Sequence, residues 1–297
     1  MSATHHRPLD TAGFWGMVAL SFLFAINNVL IKLGNEGFHP VFYAALRSVI
    51  AFGALAVWMK WRGIRFHVDM WRPGLLLGLA FSAEFFFLFS ALDTTSVVRA
   101  SSLFYSMPIW MAIAAHFLFP GERLTPLRAL GFILGFSSVV VTMVGRDAAG
   151  AHPGSLTGDI FALLGAASWA SIVIISRKSR MGAMPAETQL VWQLAVSAVI
   201  LSAIAPMMGA PMVRDLTTQA TAIVVFQGVG IAAFAFVAWF WMIKRYHAAS
   251  VAAFSFVTPV LSALLGWLWL GEAVGPATPI ALGLLIAGLF LISRKPR

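Results

Sequence analysis

Hydrophobic residues in this chain fall in long runs, broken by short stretches rich in glycine, proline and charge. A helix needs about 20 mostly apolar residues to cross roughly 30 Å of hydrocarbon. Ten runs meet or approach that length: 13–33, 40–59, 72–92, 97–118, 128–145, 157–176, 186–208, 219–243, 248–270 and 276–293. The breaks carry turn chemistry, as in "GNEGFHP", "FPGERLTP", "RDAAGAHPGS" and "MGAPMVRD". The pattern predicts an all-α membrane protein of ten transmembrane helices, with no linker long enough for a soluble domain.

Composition agrees. Of 297 residues, 60% are hydrophobic and only 10% charged, far from the balance of a soluble domain. Cysteine is absent, which removes disulfides and thiolate metal sites. A net charge of +9 would suggest nucleic acid in a soluble protein. Here the bases punctuate apolar runs, so the lipid bilayer is the expected partner and nucleic acid is not. Fifteen of the lysines and arginines fall beside the N-terminus, the even-numbered loops and the C-terminus, and four on the other side. That bias predicts both termini in the cytoplasm. Residues 1–12 read as a short cytoplasmic tail, not a cleaved signal.

A repeat lies within this pattern. "SLFYSMPIWMAIAAHFLFPGERLTPLRALG" (102–131) and "AFSFVTPVLSALLGWLWLGEAVGPATPIALG" (253–283) share a mid-helix proline, a Gly-Glu pair, a turn proline and Ala-Leu-Gly. Pro108 matches Pro259, and Gly121-Glu122 matches Gly271-Glu272. Nearer the N-terminus an offset of 145 pairs Phe24 with Trp169, Lys32 with Arg177 and Pro40 with Pro185. The chain therefore reads as two five-helix copies, 13–146 and 157–293. Five is odd, so the second copy enters the membrane inverted, an arrangement that serves alternating access. Loop charge follows the inversion: "GERLTPLR" is basic where its counterpart "GEAVGPATP" carries no Lys or Arg.

The stretch "RYHAASVAAFSFVTPVLSALLGWLWLGE", followed by "ALGLLIAG", resembles the signature of EamA-type carriers of the drug/metabolite transporter superfamily. "TTSVVRASSLFYSMPIWMA" with "FPGERLTPLRALGFILG" is similar to the same signature in the first copy. The resemblance spans nearly the whole chain. It implies ten helices, inverted repeats and export of small metabolites, amino acids and drugs among them, from the cytoplasm across the inner membrane of a bacterial cell. Size and aromatic content also resemble the aromatic amino-acid exporters of that group.

Candidate chemistry is sparse. Asn27, Asn28, Arg47 and Glu84 share one depth, about 8–12 Å below one end of the first three spans. Two readings of the charged residues stay open: a buried Arg47–Glu84 ion pair capped by asparagine, or a substrate and proton-coupling site. The second copy carries Ile172, Val173, Trp192 and Ala235 at the matching positions, so the fold itself does not demand the cluster. Phe24, Tyr105, Trp169 and Trp239 offer stacking faces, and Gln193, Gln227 and Thr258 add hydrogen bonds suited to a small amphipathic substrate. Pro108 and Pro259 predict kinks, and candidate hinges, near the middle of the fourth and ninth spans. Gly131 with Gly135, and Gly283 with Ala287, form ridges of small residues suited to helix packing or a dimer interface.

A membrane-embedded enzyme is disfavoured: there is no Cys, no HExxH and only one carboxylate deep in a span. No P-loop supports an ATP-driven pump, and no cofactor or metal is called for. The expectation is a secondary carrier, monomer or homodimer, that exports small amphipathic metabolites, with aromatic or hydrophobic amino acids foremost. Multidrug or organic-cation efflux is the alternative.

Overall fold

The computed structural model describes residues 10–119, 125–144, 155–246 and 257–293. Twelve α-helices account for most of them. The first half contains α1 (Thr11–Gly37), α2 (Pro40–Trp61), α3 (Trp71–Thr94), α4 (Val97–Phe104), α5 (Met107–Leu118) and α6 (Pro126–Val144). The second contains α7 (Leu156–Lys178), α8 (Ala186–Ile204), α9 (Thr218–Phe226), α10 (Phe236–Arg245), α11 (Val257–Leu270) and α12 (Ala277–Ser293). Among the described residues extended pairing is limited to one isolated bridge, Phe38 with Val213.

Every apolar run meets helix. Seven helical stretches are long and apolar enough to cross a membrane: Thr11–Gly37, Pro40–Trp61, Val68–Thr94, Val97–Leu118, Leu156–Lys178, Ala186–Met208 and Thr218–Met242. Ala129–Thr142, Val257–Leu270 and Ala277–Leu291 are shorter apolar helices. The start expected for the ninth span, 248–256, lies outside the described residues, as do Gly121 and Glu122.

Helix ends follow local side-chain chemistry. Asp10 caps α1 by accepting from the Gly13 N–H at 2.7 Å, and Ser155 caps α7 through the Gly158 N–H at 2.9 Å. Ser96 and Thr217 do the same for α4 and α9. Each such cap satisfies a donor that the helix leaves bare, worth about 1 kcal/mol.

Two spans depart from a continuous α-helix, the fourth by more than the kink expected at Pro108. The fourth breaks outright, with α4 ending at Phe104 and α5 beginning at Met107. Pro108 therefore sits at the start of a helix, where its missing N–H is harmless, instead of mid-helix. The Ser106 hydroxyl donates to the Leu103 carbonyl at 2.6 Å and so occupies one acceptor at the break. Pro259 lies in the first described turn of α11, and the Ser255 carbonyl it would displace is outside the described residues. In the eighth span, Gln227–Ala235 is a nine-residue π-helix between α9 and α10. Gly228 explains the close packing there: a Cβ at that position would lie 2.6 Å from Ile50 Cγ2 and 3.3 Å from the Arg47 carbonyl.

The halves interlock. α3 packs on α7 and α8, α2 on α8 and the π-helix, and α1 on α11. Outside this core, α6 and α12 lie against each other. A Cβ on Gly288 would meet the Gly131 carbonyl at 2.7 Å and the Gly135 nitrogen at 2.8 Å. The first-half ridge is thus spent within the chain, and its partner is Gly288. Gly283, the expected counterpart, faces open space. Large apolar side chains such as Trp61, Phe117, Val199 and Trp267 are exposed, while Arg47 and Glu84 are buried. An apolar exterior with charges turned inward is what a hydrocarbon solvent selects.

Candidate functional site

Buried polar side chains from both halves gather along α1, α2, α3 and the second-half helices against them. Asn28 on α1 donates through Nδ2 to Ser101 Oγ at 3.1 Å and to Ser262 Oγ at 3.2 Å, which ties α1 to α4 and α11. Asn27 Nδ2 reaches Asn28 Oδ1 at 3.4 Å, and Gln227 Nε2 donates to the Asn27 carbonyl at 2.9 Å. Tyr105, at the α4–α5 break, faces Thr258. Phe24 stands edge-on to Trp239 at 5.6 Å and to Phe236 at 5.5 Å. Trp169 is half-buried against the larger core, whereas Phe24 and Trp239 pack on a separate cluster. Gln193 on α8 is buried with its Nε2 unpartnered.

The charged pair is not built as an ion pair. Arg47 and Glu84 are 1% and 3% exposed, and their charges sense each other. Among the described residues the ion pairs are His67–Asp69, Arg99–Asp159 and Arg214–Asp93. The Arg47 guanidinium instead lies over the rings of Phe85 at 4.6 Å and Phe89 at 5.4 Å. Its Nε and Nη1, and Oε2 of Glu84, have no hydrogen-bond partner. The asparagines do not cap the pair either, because Ser101 and Ser262 engage Asn28. Stacking satisfies the face of a guanidinium and leaves its in-plane donors free.

Two features escaped the sequence reading. One is the π-helix, whose distortion beside Arg47 is the kind that recurs at functional sites; the Gly228-Gly230 pair inside an apolar run was its visible trace. The other is a dense set of bonds on the α3–α4 turn. Arg99 Nε and Nη2 fork onto Asp159 at 3.2 and 2.5 Å, with Thr95 Oγ1 also donating to Asp159 at 3.3 Å. Arg214 forks onto Asp93 and donates to the Asn35 carbonyl. Glu272 accepts from the Val97 and Val98 N–H groups at 2.7 and 3.0 Å, and Lys32 donates to the Thr95 carbonyl at 2.7 Å. Arg214, Asp159 and Glu272 all belong to the second half, so this turn fastens the halves at one end. Burial and the Arg214 cation hold the nearby His39 imidazole below its usual pKa. At the other end the described cross-half contacts include the Tyr246 hydroxyl, which donates to Asp10 at 2.9 Å. Trp192 Nε1 donates to the His67 carbonyl at 3.2 Å, and Arg177 lies over Phe119 at 4.1 Å.

Comparison with known proteins decides the family. The model of the EamA-like transporter family matches twice, over residues 11–144 and 156–294. The chain belongs to that family. This EamA-like protein is 31% identical over 204 residues to the aromatic amino acid exporter YddG of Ancylobacter novellus, covering 68% of this chain and 69% of that one. It is 24% identical to the transporter YoaV of Bacillus subtilis over 93% of this chain and 94% of the relative. With a protein of Escherichia coli K12 named "Probable amino-acid metabolite efflux pump" it shares 26% identity over 93% of each. One solved crystal structure superposes with a TM-score of 0.64 at 26% identity, covering 94% of this chain and 95% of its own. The EamA-like chain is a multi-pass membrane transporter built from two repeats, and its family and relatives are transporters, not enzymes.

Proposed function

We propose that this EamA-like transporter is a secondary carrier that exports small amphipathic metabolites, amino acids foremost, across a bacterial inner membrane. In this reading all ten apolar segments span, the halves are inverted copies, and both termini are cytoplasmic. The observation that carries it is the buried set of Asn27, Arg47, Glu84, Gln193 and Gln227. These side chains come from both halves, and each has a polar atom without a partner. A scaffold gains nothing from such groups, since each unsatisfied one costs about 1–3 kcal/mol, whereas a carrier fills them transiently with substrate.

Alternating access fits the same geometry. One end is held by ion pairs and caps, and the helix breaks at Pro108 and in the π-helix are where the halves can flex. The first turn of α11, at Pro259, is the proposed second hinge. Glu84 is the site at which a proton exchanges for substrate. Purified protein in liposomes, loaded with a mixture of labelled amino acids, should export at least one of them. A pH gradient, acidic outside, should speed that export. A well-folded protein that moves no small solute would end the carrier reading, and flux indifferent to pH would end the coupling. The edge-on aromatic pair Phe24–Trp239 and the carboxylate of Glu84 also favour amphipathic cations, so a cationic dye belongs in the panel.

A further inference from the structure

The chain contains two kinds of buried opposite charge. Arg99 and Asp159 make a forked pair with Thr95 completing it. Arg47 and Glu84 are equally buried, yet they make no bond to each other, and three of their polar atoms are unpartnered. Burying a charge without a partner is costly, and charges so placed ordinarily close on each other. What holds Arg47 off is its stack on Phe85 and Phe89, which orients the guanidinium and leaves in-plane donors free. Glu84, next to Phe85 along α3, when ionised offers acceptors and no donor. A molecule carrying both a carboxylate and an ammonium group would satisfy both residues at once.

The surroundings of this pair extend the match. Rings run on from Phe85 to Phe81 at 4.2 Å, from Phe81 to Phe236 at 6.3 Å, and from Phe236 to Phe24 at 5.5 Å. An apolar side chain therefore has an aromatic path leading away from the charged end.

Resting on the carrier reading above, we infer that Arg47 and Glu84 divide a zwitterion between them. Arg47 takes the carboxylate of an amino acid, Glu84 takes its ammonium group, and the Phe81–Phe236–Phe24 rings receive an apolar side chain. The charged pair then serves as a filter for substrates that have both head groups. A site built to hydrogen-bond a group rejects analogues that lack it by several orders of magnitude, because its own buried polar atoms are left unpaired.

The test uses the intact protein in liposomes. Export of labelled phenylalanine and leucine is compared with export of their decarboxylated amines and their deaminated acids. The wild type should carry the amino acids at least ~100-fold faster than either half-analogue. Arg47→Gln should narrow the gap to the amine alone, and Glu84→Gln the gap to the acid alone, with both variants eluting as a single species in detergent. Wild-type flux of the amine or the acid equal to that of the amino acid would overturn the inference while the carrier reading stands. So would export of a cationic dye with no amino acid moved, or folded variants that slow all three classes alike. If either variant fails to fold, the wild-type panel decides by itself. Export of no solute at all would remove the carrier reading first.

Discussion

The two halves of this transporter share a fold and differ in what they bury. In the first, Asn28, Arg47 and Glu84 sit inside the bundle. At the matching positions of the second stand Val173, Trp192 and Ala235. Trp192 illustrates the difference. It occupies the helix position of Arg47, yet its ring packs beside Phe66 at 5.1 Å and its Nε1 closes on the His67 carbonyl. A helix at that place in the repeat can therefore be held by an ordinary aromatic contact. That place in the repeat does not by itself call for a cation, which is what motivates the role proposed for Arg47.

The comparison can be broken most severely where the halves are tied. Asp159→Asn leaves the Arg99 cation buried without its counter-charge, and should cost about 3–5 kcal/mol in denaturant unfolding. Because the chain has no cysteine, a single Cys placed at the exposed Thr94, whose hydroxyl donates only to carbonyls of its own helix, reports the same end. It should react faster with a thiol reagent once Asp159 is replaced, and an unchanged rate would mean that the Arg99–Asp159 pair does not hold this end closed.

Next in size is the asymmetry itself. Arg47→Gln should lower export about 100-fold, or about 2.7 kcal/mol of transition-state stabilisation, while Trp192→Phe changes it less than tenfold. Equal losses in the two variants would make both positions structural.

A smaller effect separates the glycines. Gly288→Ala forces a Cβ against the Gly131 and Gly135 backbone and should destabilise by about 1–3 kcal/mol. Gly283→Ala meets nothing and should be neutral or gain about 0.5–1 kcal/mol of helix propensity. Thermal melts in detergent distinguish these outcomes. Smallest is Glu272→Gln, which keeps one acceptor for α4 but loses the charge, costing about 0.3–1 kcal/mol.

Much of the candidate site was legible in the chain as a set of buried polar residues, though not how they connect. Asn27, Asn28, Arg47, Glu84, Gln193 and Gln227 stand out because polar atoms in apolar runs are conspicuous, and all six are buried. Phe24 and Trp239 were expected to share a site, and they meet edge-on. Of the two readings open for Arg47 and Glu84, the ion pair rested on shared depth and opposite sign. Depth along a helix says nothing of rotation about its axis, and Phe85 with Phe89 claimed the guanidinium. Arg99, Asp159, Arg214 and Glu272 looked like loop-edge charges, since their partners lie 60 to 179 residues away.

What the sequence determined by itself was the apolar periodicity, the two copies and the rarity of buried charge. Each is a local or self-comparing property, readable wherever hydrocarbon is the solvent. Tertiary structure alone decided which buried groups pair, where the eighth span widens into a π-helix, and which glycine α6 packs against. Those outcomes depend on how distant helices rotate against one another, and on contacts such as Gly228 with Ile50 that no single helix contains.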